Sequence, residues 1–495
     1  MSAKKTSAGK WIALVVALFC MFATGLIAPP AGLSQAGFQV LGILVGAIIL
    51  FLSWGTGWPS MAIIFALMTV PGLSVSQVTQ ATFGNNTVVF LMFCMMLAAC
   101  LTKSGAARRI AVWFLTNNLA RKSPWWTVIM YFTANFVLNY VLSTAATIFV
   151  MLPIAVELLE SVGVKKEQKA PIAVAIMLGT LVTGLLSNGG NPISHATTLQ
   201  GFSFYESFTG EAMDFFTYCA IGTPIAIVSF LLFFFMVRFI WRPDVSMLTG
   251  INYEALKSTV GPMTKKEKYS IFFYIVCVIL WMMPGLSEYV WPASAEFFNK
   301  INNCLPPLAA LFLMNFIKVD GEPVLAWGEA VKSVNWPSFM FIASIMGLGS
   351  FMGNANIGIP DWMSQVLAPV FSNISPFVFL VIMVLLADLM TNFTSNTVTV
   401  SVMLAVAMPL AMGVYEGQIS VFLVAALVTS AANNGWTSRQ PDRRRRLRLR
   451  LGRYQVHDRL GSAGHGAARH RDHDPRLRAR LRPALRRVLL TERML

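Results

Sequence analysis

Charge is what this sequence lacks. Only 12% of its 495 residues are charged, where soluble domains carry about 25%. Residues 11–102 hold no Asp, Glu, Lys or Arg at all. With 56% hydrophobic residues and a mean hydropathy of +0.63, the chain is expected to be an all-α polytopic membrane protein. Cysteine is scarce too. Its six residues show no CxxC spacing and no density that suggests a disulfide framework. Histidine is nearly absent from the apolar body: four of the five lie beyond residue 438. A membrane-embedded enzyme would need clustered His, Asp or Glu in its spans, and only His195 and Asp388 come close. No small-residue cleavage site follows the first apolar run, so 11–29 is expected to be a retained span.

The net charge of +16 invites a nucleic-acid partner, but its distribution excludes one for the body. Residues 439–495 hold 18 Arg, no Lys and five acids, hence +13, leaving +3 for the rest. Two readings of this tail stay open. It is an RNA- or lipid-binding segment on the inner face, or the product of a reading-frame shift in GC-rich coding sequence. Residues 439–495 contain no Phe, Trp, Lys, Asn or Ile, and such a frame shift yields Arg/Ala/Gly/His/Pro mixtures of this kind; we favour that reading.

What the chain does have is apolar runs of spanning length, about 17–25 residues each. They are expected at 11–29, 36–54, 58–73, 86–102, 170–187, 216–240, 269–284, 303–317, 336–353 and 418–436. Two longer charge-poor segments, 125–160 and 375–415, carry a polar knot at their centre. Each is expected to be a re-entrant hairpin of two helices.

Positive-inside bookkeeping supports this. Lys4, Lys5 and Lys10 put the amino terminus inside, and four spans return the chain to Lys103, Arg108, Arg109, Arg121 and Lys122. Lys165, Lys166 and Lys169 join them only if 125–160 enters and turns back. Glu206, Glu211 and Asp214 then lie outside, and the second hairpin enters from the opposite face.

The knots are related. "NYVLSTAATIFVMLPIA" (139–155) and "TNFTSNTVTVSVMLAVA" (391–407) align without gaps, placing Ser143 on Ser395 and Thr147 on Thr399. Each is followed by an apolar helix broken at a small polar cluster, "SNGGNP" (187–192) or "TSAANNG" (429–435). Inverted repeats with broken helices near the midplane are the architecture of secondary transporters. A helix that starts mid-membrane leaves unpaired N–H groups and a positive dipole end that attract an anion. Unwound carbonyls with Ser and Asn oxygens can replace the water around a sodium ion.

"TSNTVTV" resembles the Ser-Asn-Thr signature of the divalent-anion:sodium symporter (DASS) family, sodium:dicarboxylate/sulfate symporters, over about residues 11–437. The resemblance implies sodium-coupled symport of di- or tricarboxylates or sulfate by a homodimer with a scaffold and a moving transport domain. It places substrate on Ser143, Thr144, Asn396 and Thr397. One sodium ion falls on Asn139, Ser143 and the Gly189 backbone, and another on Thr391, Ser395, Asn396 and the backbone near Ala432. Departures are Thr144 where Asn is usual, Ala145 where Thr is usual, "NPISHATT" (191–198) without Thr-Pro-Pro, and Asn392 where many members carry Glu. His195 is read as a helix cap or, alternatively, a proton-coupled group. Asp388, the only charge in 362–415, is either a functional intramembrane acid or a carboxylate at the wet membrane surface.

The expected divisions are 1–124 (scaffold spans and cytoplasmic arm), 125–215 (first hairpin and broken helix), 216–374 (second-repeat scaffold), 375–437 (second hairpin and broken helix) and 438–495 (the tail). The expected location is the cell inner membrane, in contact with lipid. Sodium ions serve as coupling ions, with no cofactor and no nucleic acid. The alternative functions are a dicarboxylate exchanger on the same fold and an inactive truncated permease.

Overall fold

A computed structural model describes residues 8–164, 170–193, 195–371, 373–392 and 394–433. Within these, helices account for almost all regular structure. One two-stranded antiparallel hairpin, Lys318–Val319 with Glu322–Pro323, turns at Asp320 and Gly321, both at positive φ (54° and 85°). Asp-Gly is the pair that such a tight turn favours.

The chain opens with α1 (Ala8–Ala23), α2 (Gln35–Trp54), α3 (Pro59–Leu67), α4 (Val75–Thr82) and α5 (Asn86–Lys103). Amphipathic α6 (Ala106–Thr116) leads into α7 (Pro124–Val141) and α8 (Thr144–Ser161). Then come α9 (Pro171–Asn188), α10 (Ala196–Thr209) and α11 (Phe215–Phe235), the last extended by a π-helical turn at Met236–Trp241. Short α12 (Tyr253–Ser258) precedes α13 (Lys265–Val290), α14 (Ala295–Asn299), α15 (Leu305–Phe316) and α16 (Trp327–Ser333). The remaining helices are α17 (Trp336–Gly353), α18 (Ile359–Phe371), α19 (Pro376–Thr391), α20 (Asn396–Gly413) and α21 (Ser420–Asn433).

Eight described helices (α2, α5, α8, α9, α11 with its extension, α13, α17 and α20) are long and apolar enough to cross a bilayer. The protein is a multi-pass α-helical membrane protein. Local sequence explains many of the helix starts. Ser34 caps α2 through Gly37 N, Ser123 precedes Pro124 at the first position of α7, and Thr264 with Glu267 forms a capping box on α13.

The expected span at 58–73 is different. Its helix is the nine-residue α3, about 14 Å long at 1.5 Å per residue, and the chain turns at Pro71 and Gly72 (φ 82°) before α4. Pro removes a donor and Gly accepts the left-handed turn, so the apolar run does not continue as one helix.

Segment 125–160 forms α7 and α8, meeting at Leu142 and Ser143. Segment 375–415 forms α19 and α20, the first capped at Asn392 and the second at Ser395. The centre of the molecule is α9, α17 and α20, in which most side chains are buried. By contrast α11 and α13 turn Val228, Leu231, Leu232, Phe272, Ile275 and Ile279 outward, surface that suits a hydrocarbon solvent. The stretch 434–495, including the end of the 418–436 span and the Arg-rich tail, lies outside the described residues, as do Lys4, Lys5, Lys165, Lys166 and Lys169.

Helix α6 is tied down by ion pairs. The Arg109 fork donates to Glu267 at 2.9 and 3.0 Å and also to the carbonyls of Val260, Gly261 and Pro262. Arg108 reaches Glu157 at 2.8 Å, and Arg121 reaches Glu254 at 2.8 Å. These contacts fasten α6 and its neighbouring turn to α8, α12 and the start of α13.

Candidate functional site

Serine followed by an apolar helical run is a helix-start signal, and both knots use it. Ser143 Oγ accepts from Ala146 N at 3.4 Å, and Ser395 Oγ accepts from Val398 N at 3.3 Å. The amino ends of α8 and α20 therefore begin inside the two knots. Ser143 is exposed, whereas Thr144, Ser395, Asn396 and Thr397 are half-buried.

The first knot closes on the first break. Asn139 on α7 is fully buried, and its Nδ2 faces the Gly184 carbonyl, Ser187 Oγ at 2.9 Å and Asn188 Oδ1 at 2.5 Å. Thr144 Oγ1 donates to the same Asn188 Oδ1 at 3.2 Å. One turn earlier, Asn135 Nδ2 donates to Thr180 O and Thr183 Oγ1, both at 2.8 Å. Among the described residues the break holds Gly189–Ile193 and His195, between α9 and α10. His195 caps α10, its Nδ1 accepting from Thr197 N at 3.4 Å and lying 2.6 Å from Thr197 Oγ1.

The second knot closes on α21. Thr391 Oγ1 lies 3.1 Å from Asn396 Oδ1 and 3.3 Å from the Ala431 carbonyl. The carbonyl it meets belongs to Ala431, one residue before the expected Ala432, which is itself fully buried. One helical residue turns the backbone by about 100°, so neighbouring positions present different groups.

The two knots converge on the same short piece of α21. Thr429 Oγ1 donates to Gly189 O at 3.3 Å, and Ala431, two residues on, receives Thr391. The Gly189 carbonyl also accepts from Tyr218 Oη at 2.8 Å, so both of its lone pairs are engaged. A second tie crosses the halves: Gln200 Nε2 on α10 donates to Thr397 O at 3.2 Å and to Ser401 Oγ.

Seven buried side-chain polar atoms among the described residues have no hydrogen-bond partner. Six of them lie around these knots: Asn135 Oδ1, Asn139 Oδ1, Thr147 Oγ1, Asn188 Nδ2, Gln200 Oε1 and Asn392 Oδ1. Each unmet group costs about 1–3 kcal/mol. Six of them together reach the scale of a domain's whole net stability, about 5–15 kcal/mol. Such a set persists where something else satisfies it. Five are oxygens, the ligand type that hard cations take, and Asn188 Nδ2 is a donor suited to an anion.

Sequence reasoning missed Asn135, Asn188 and Gln200. Asn188 was legible as part of the quoted "SNGGNP"; Asn135 and Gln200 are single amides in apolar helices, with no pattern to distinguish them.

Residues 52–432 match the family model described as a citrate transporter (CitMHS). The chain belongs to the citrate transporter family. This family member is a secondary transporter and not an enzyme. It is 22% identical to the "Sodium-dependent dicarboxylate transporter SdcS" of Staphylococcus saprophyticus, over 87% of this chain and 83% of that protein. The protein of that name in Staphylococcus aureus (strain NCTC 8325 / PS 47) is 20% identical over the same shares. A "Membrane protein" of Cupriavidus necator is 24% identical over 71% of this chain and 68% of its own.

Proposed function

We propose that this transporter is a sodium-coupled symporter of small di- or tricarboxylates. The observation that carries the reading is the convergence of two oxygen-rich knots on Thr429 and Ala431, with unmet polar atoms around them. Relatives named sodium-dependent dicarboxylate transporters and a family described as a citrate transporter support it.

In this reading Asn139, Ser143 and Gly189 take one sodium ion. Asn139 offers its unmet Oδ1, while the Gly189 carbonyl joins only as Tyr218 or Thr429 releases it. Thr391, Ser395, Asn396 and the α21 backbone at Ala431 and Ala432 take the other. The carboxylates of the substrate lie between the amino ends of α8 and α20, where helix dipoles favour negative charge. Ser143, Thr144, Asn396 and Thr397 face the substrate there, joined by the Asn188 amide donor.

The hairpins α7–α8 and α19–α20 are read as halves of an inverted repeat that enter from opposite faces of the inner membrane. With the Arg108, Arg109 and Arg121 face inside, the amino terminus is inside too. A lipid-embedded homodimer, sodium as the coupling ion and no further cofactor complete the reading.

Uptake of labelled succinate and citrate by cells expressing the full chain, with sodium or choline outside, tests this. Uptake that needs sodium is expected. So is thermal stabilisation of the purified protein by succinate, citrate or tartrate that appears only with sodium present. Sodium-independent uptake that requires dicarboxylate on the opposite side would replace symport with exchange. Sulfate alone stabilising the protein would overturn the carboxylate assignment.

A further inference from the structure

We propose that Gln200 reads a hydroxyl group on the transported anion, so that the site prefers hydroxylated di- and tricarboxylates to their deoxy counterparts. The inference rests on the carboxylate reading above and narrows the substrate class within it.

Gln200 is on α10 and is completely buried. A buried amide needs partners at both of its ends. Its Nε2 has two, donating to Thr397 O at 3.2 Å and to Ser401 Oγ. A main-chain carbonyl only accepts, so the contact with Thr397 O fixes which way the amide points. Oε1 is then the end left buried and without a hydrogen-bond partner. The side chain has no room to withdraw. A methyl group on the adjoining Gly201 would lie 2.8 Å from Val424 Cγ1 and 2.9 Å from Val428 Cγ2, so α10 is pressed onto α21. It packs along α20 as well.

The chemistry of the surroundings selects what meets Oε1. Thr397 is the second residue of α20, so the amide is tied to the first turn of that helix. The positive end of the helix dipole lies there, which favours the carboxylates of the substrate and disfavours a cation. An ionised carboxylate has only acceptors and cannot satisfy an amide oxygen. A carbon-bound hydroxyl on the same anion can, by donating its proton to Oε1. An anion that lacks the hydroxyl leaves Oε1 unmet inside a closed site, and a site built for a hydroxyl rejects the analogue without it.

Two pairs of anions that differ by one hydroxyl test this: malate with succinate, and citrate with tricarballylate. Thermal stabilisation of the purified full chain is titrated with each, in saturating sodium and at a pH where every carboxyl group is ionised. The deoxy member of each pair is expected to need about 10- to 100-fold more for half-saturation. Q200L, which cannot accept, is expected to bring both ratios close to one by weakening the hydroxylated member. S401A, which leaves Oε1 in place, is expected to keep the native ratios. A merely structural role for Gln200 would weaken both members of a pair alike and leave the ratio unchanged.

Native ratios near one in both pairs would overturn the proposal, and so would a Q200L protein that keeps the native ratios. Where Q200L yields no folded protein, Q200M, unbranched and close in length, takes its place in the same titration. The outcome separates from that of the carboxylate reading. A native chain stabilised equally by malate and succinate keeps that reading and loses the hydroxyl preference; one stabilised by none of the four anions loses both.

Discussion

Gly189→Ala tests the close approach on which the site depends. A methyl group there would sit 2.6 Å from the Thr429 Cα and 3.0 Å from its Cβ and Oγ1. Carbon atoms settle at roughly 3.5 Å or beyond, so the break and α21 would have to separate by about 0.9 Å. The obstacle is backbone, which cannot rotate aside as a flexible side chain can. Overpacking of this kind costs about 1–3 kcal/mol, and the rigid neighbour places this site at the upper end. Separation also stretches the 3.3 Å bond from Thr429 Oγ1 to Gly189 O, worth about 1 kcal/mol.

The expected loss is therefore about 3–4 kcal/mol, on the order of a 100- to 1,000-fold shift in the unfolding equilibrium. Gly184→Ala is the control. Its methyl would meet Asn135 Nδ2 and Asn139 Oδ1 at 3.5 Å, ordinary contact, and Ala is up to about 1 kcal/mol better than Gly inside a helix. Denaturant unfolding of the detergent-purified protein, followed by tryptophan fluorescence, compares the two. A G189A midpoint equal to the native one, or a G184A loss as large as that of G189A, refutes the reasoning.

Thr391→Val removes the hydroxyl that meets Asn396 Oδ1 and Ala431 O. A loss of about 1–3 kcal/mol is expected, with at least a tenfold rise in the sodium needed for half-maximal stabilisation, read by thermal shift. Arg109→Gln leaves Glu267, only 6% exposed at its side chain, without its cation. Unfolding titrations should show a loss of about 3 kcal/mol, and Arg109→Lys a smaller one because lysine lacks the fork. His195→Ala should cost about 1 kcal/mol of stability and His195→Asn much less, since Asn also caps helices. A His195→Asn transport profile that shifts with pH would instead assign His195 a proton-coupled role.

The two knots were readable because their signals are local. Ser143 and Ser395 stand before apolar runs, and the small polar cluster at 187–192 ends α9 in an otherwise apolar stretch; the second expected break, at 429–435, is helical as far as Asn433 and otherwise lies outside the described residues. Span 58–73 misled because averaged hydropathy does not register Pro71 and Gly72, which end a helix without adding any charge. Asn135 and Gln200 escaped notice for a different reason. An amide in an apolar helix has the same sequence signature whether it bonds to a neighbouring helix or lines a cavity, and only the fold reveals which atom is left unmet. The backbone expected near Ala432 meets Thr391 through the Ala431 carbonyl; a main-chain group leaves no trace in residue identity, so a sequence places it only to within a turn.

The cross-ties of Gln200 to Thr397 and of Thr429 to Gly189 mean that neither half of the site can rearrange alone. If each knot holds sodium as proposed, occupancy of one pocket is transmitted to the other as a change in affinity, and saturation by sodium should rise more steeply than a simple hyperbola. Cutting either tie should flatten that curve towards independent filling, even if every direct ligand stays in place.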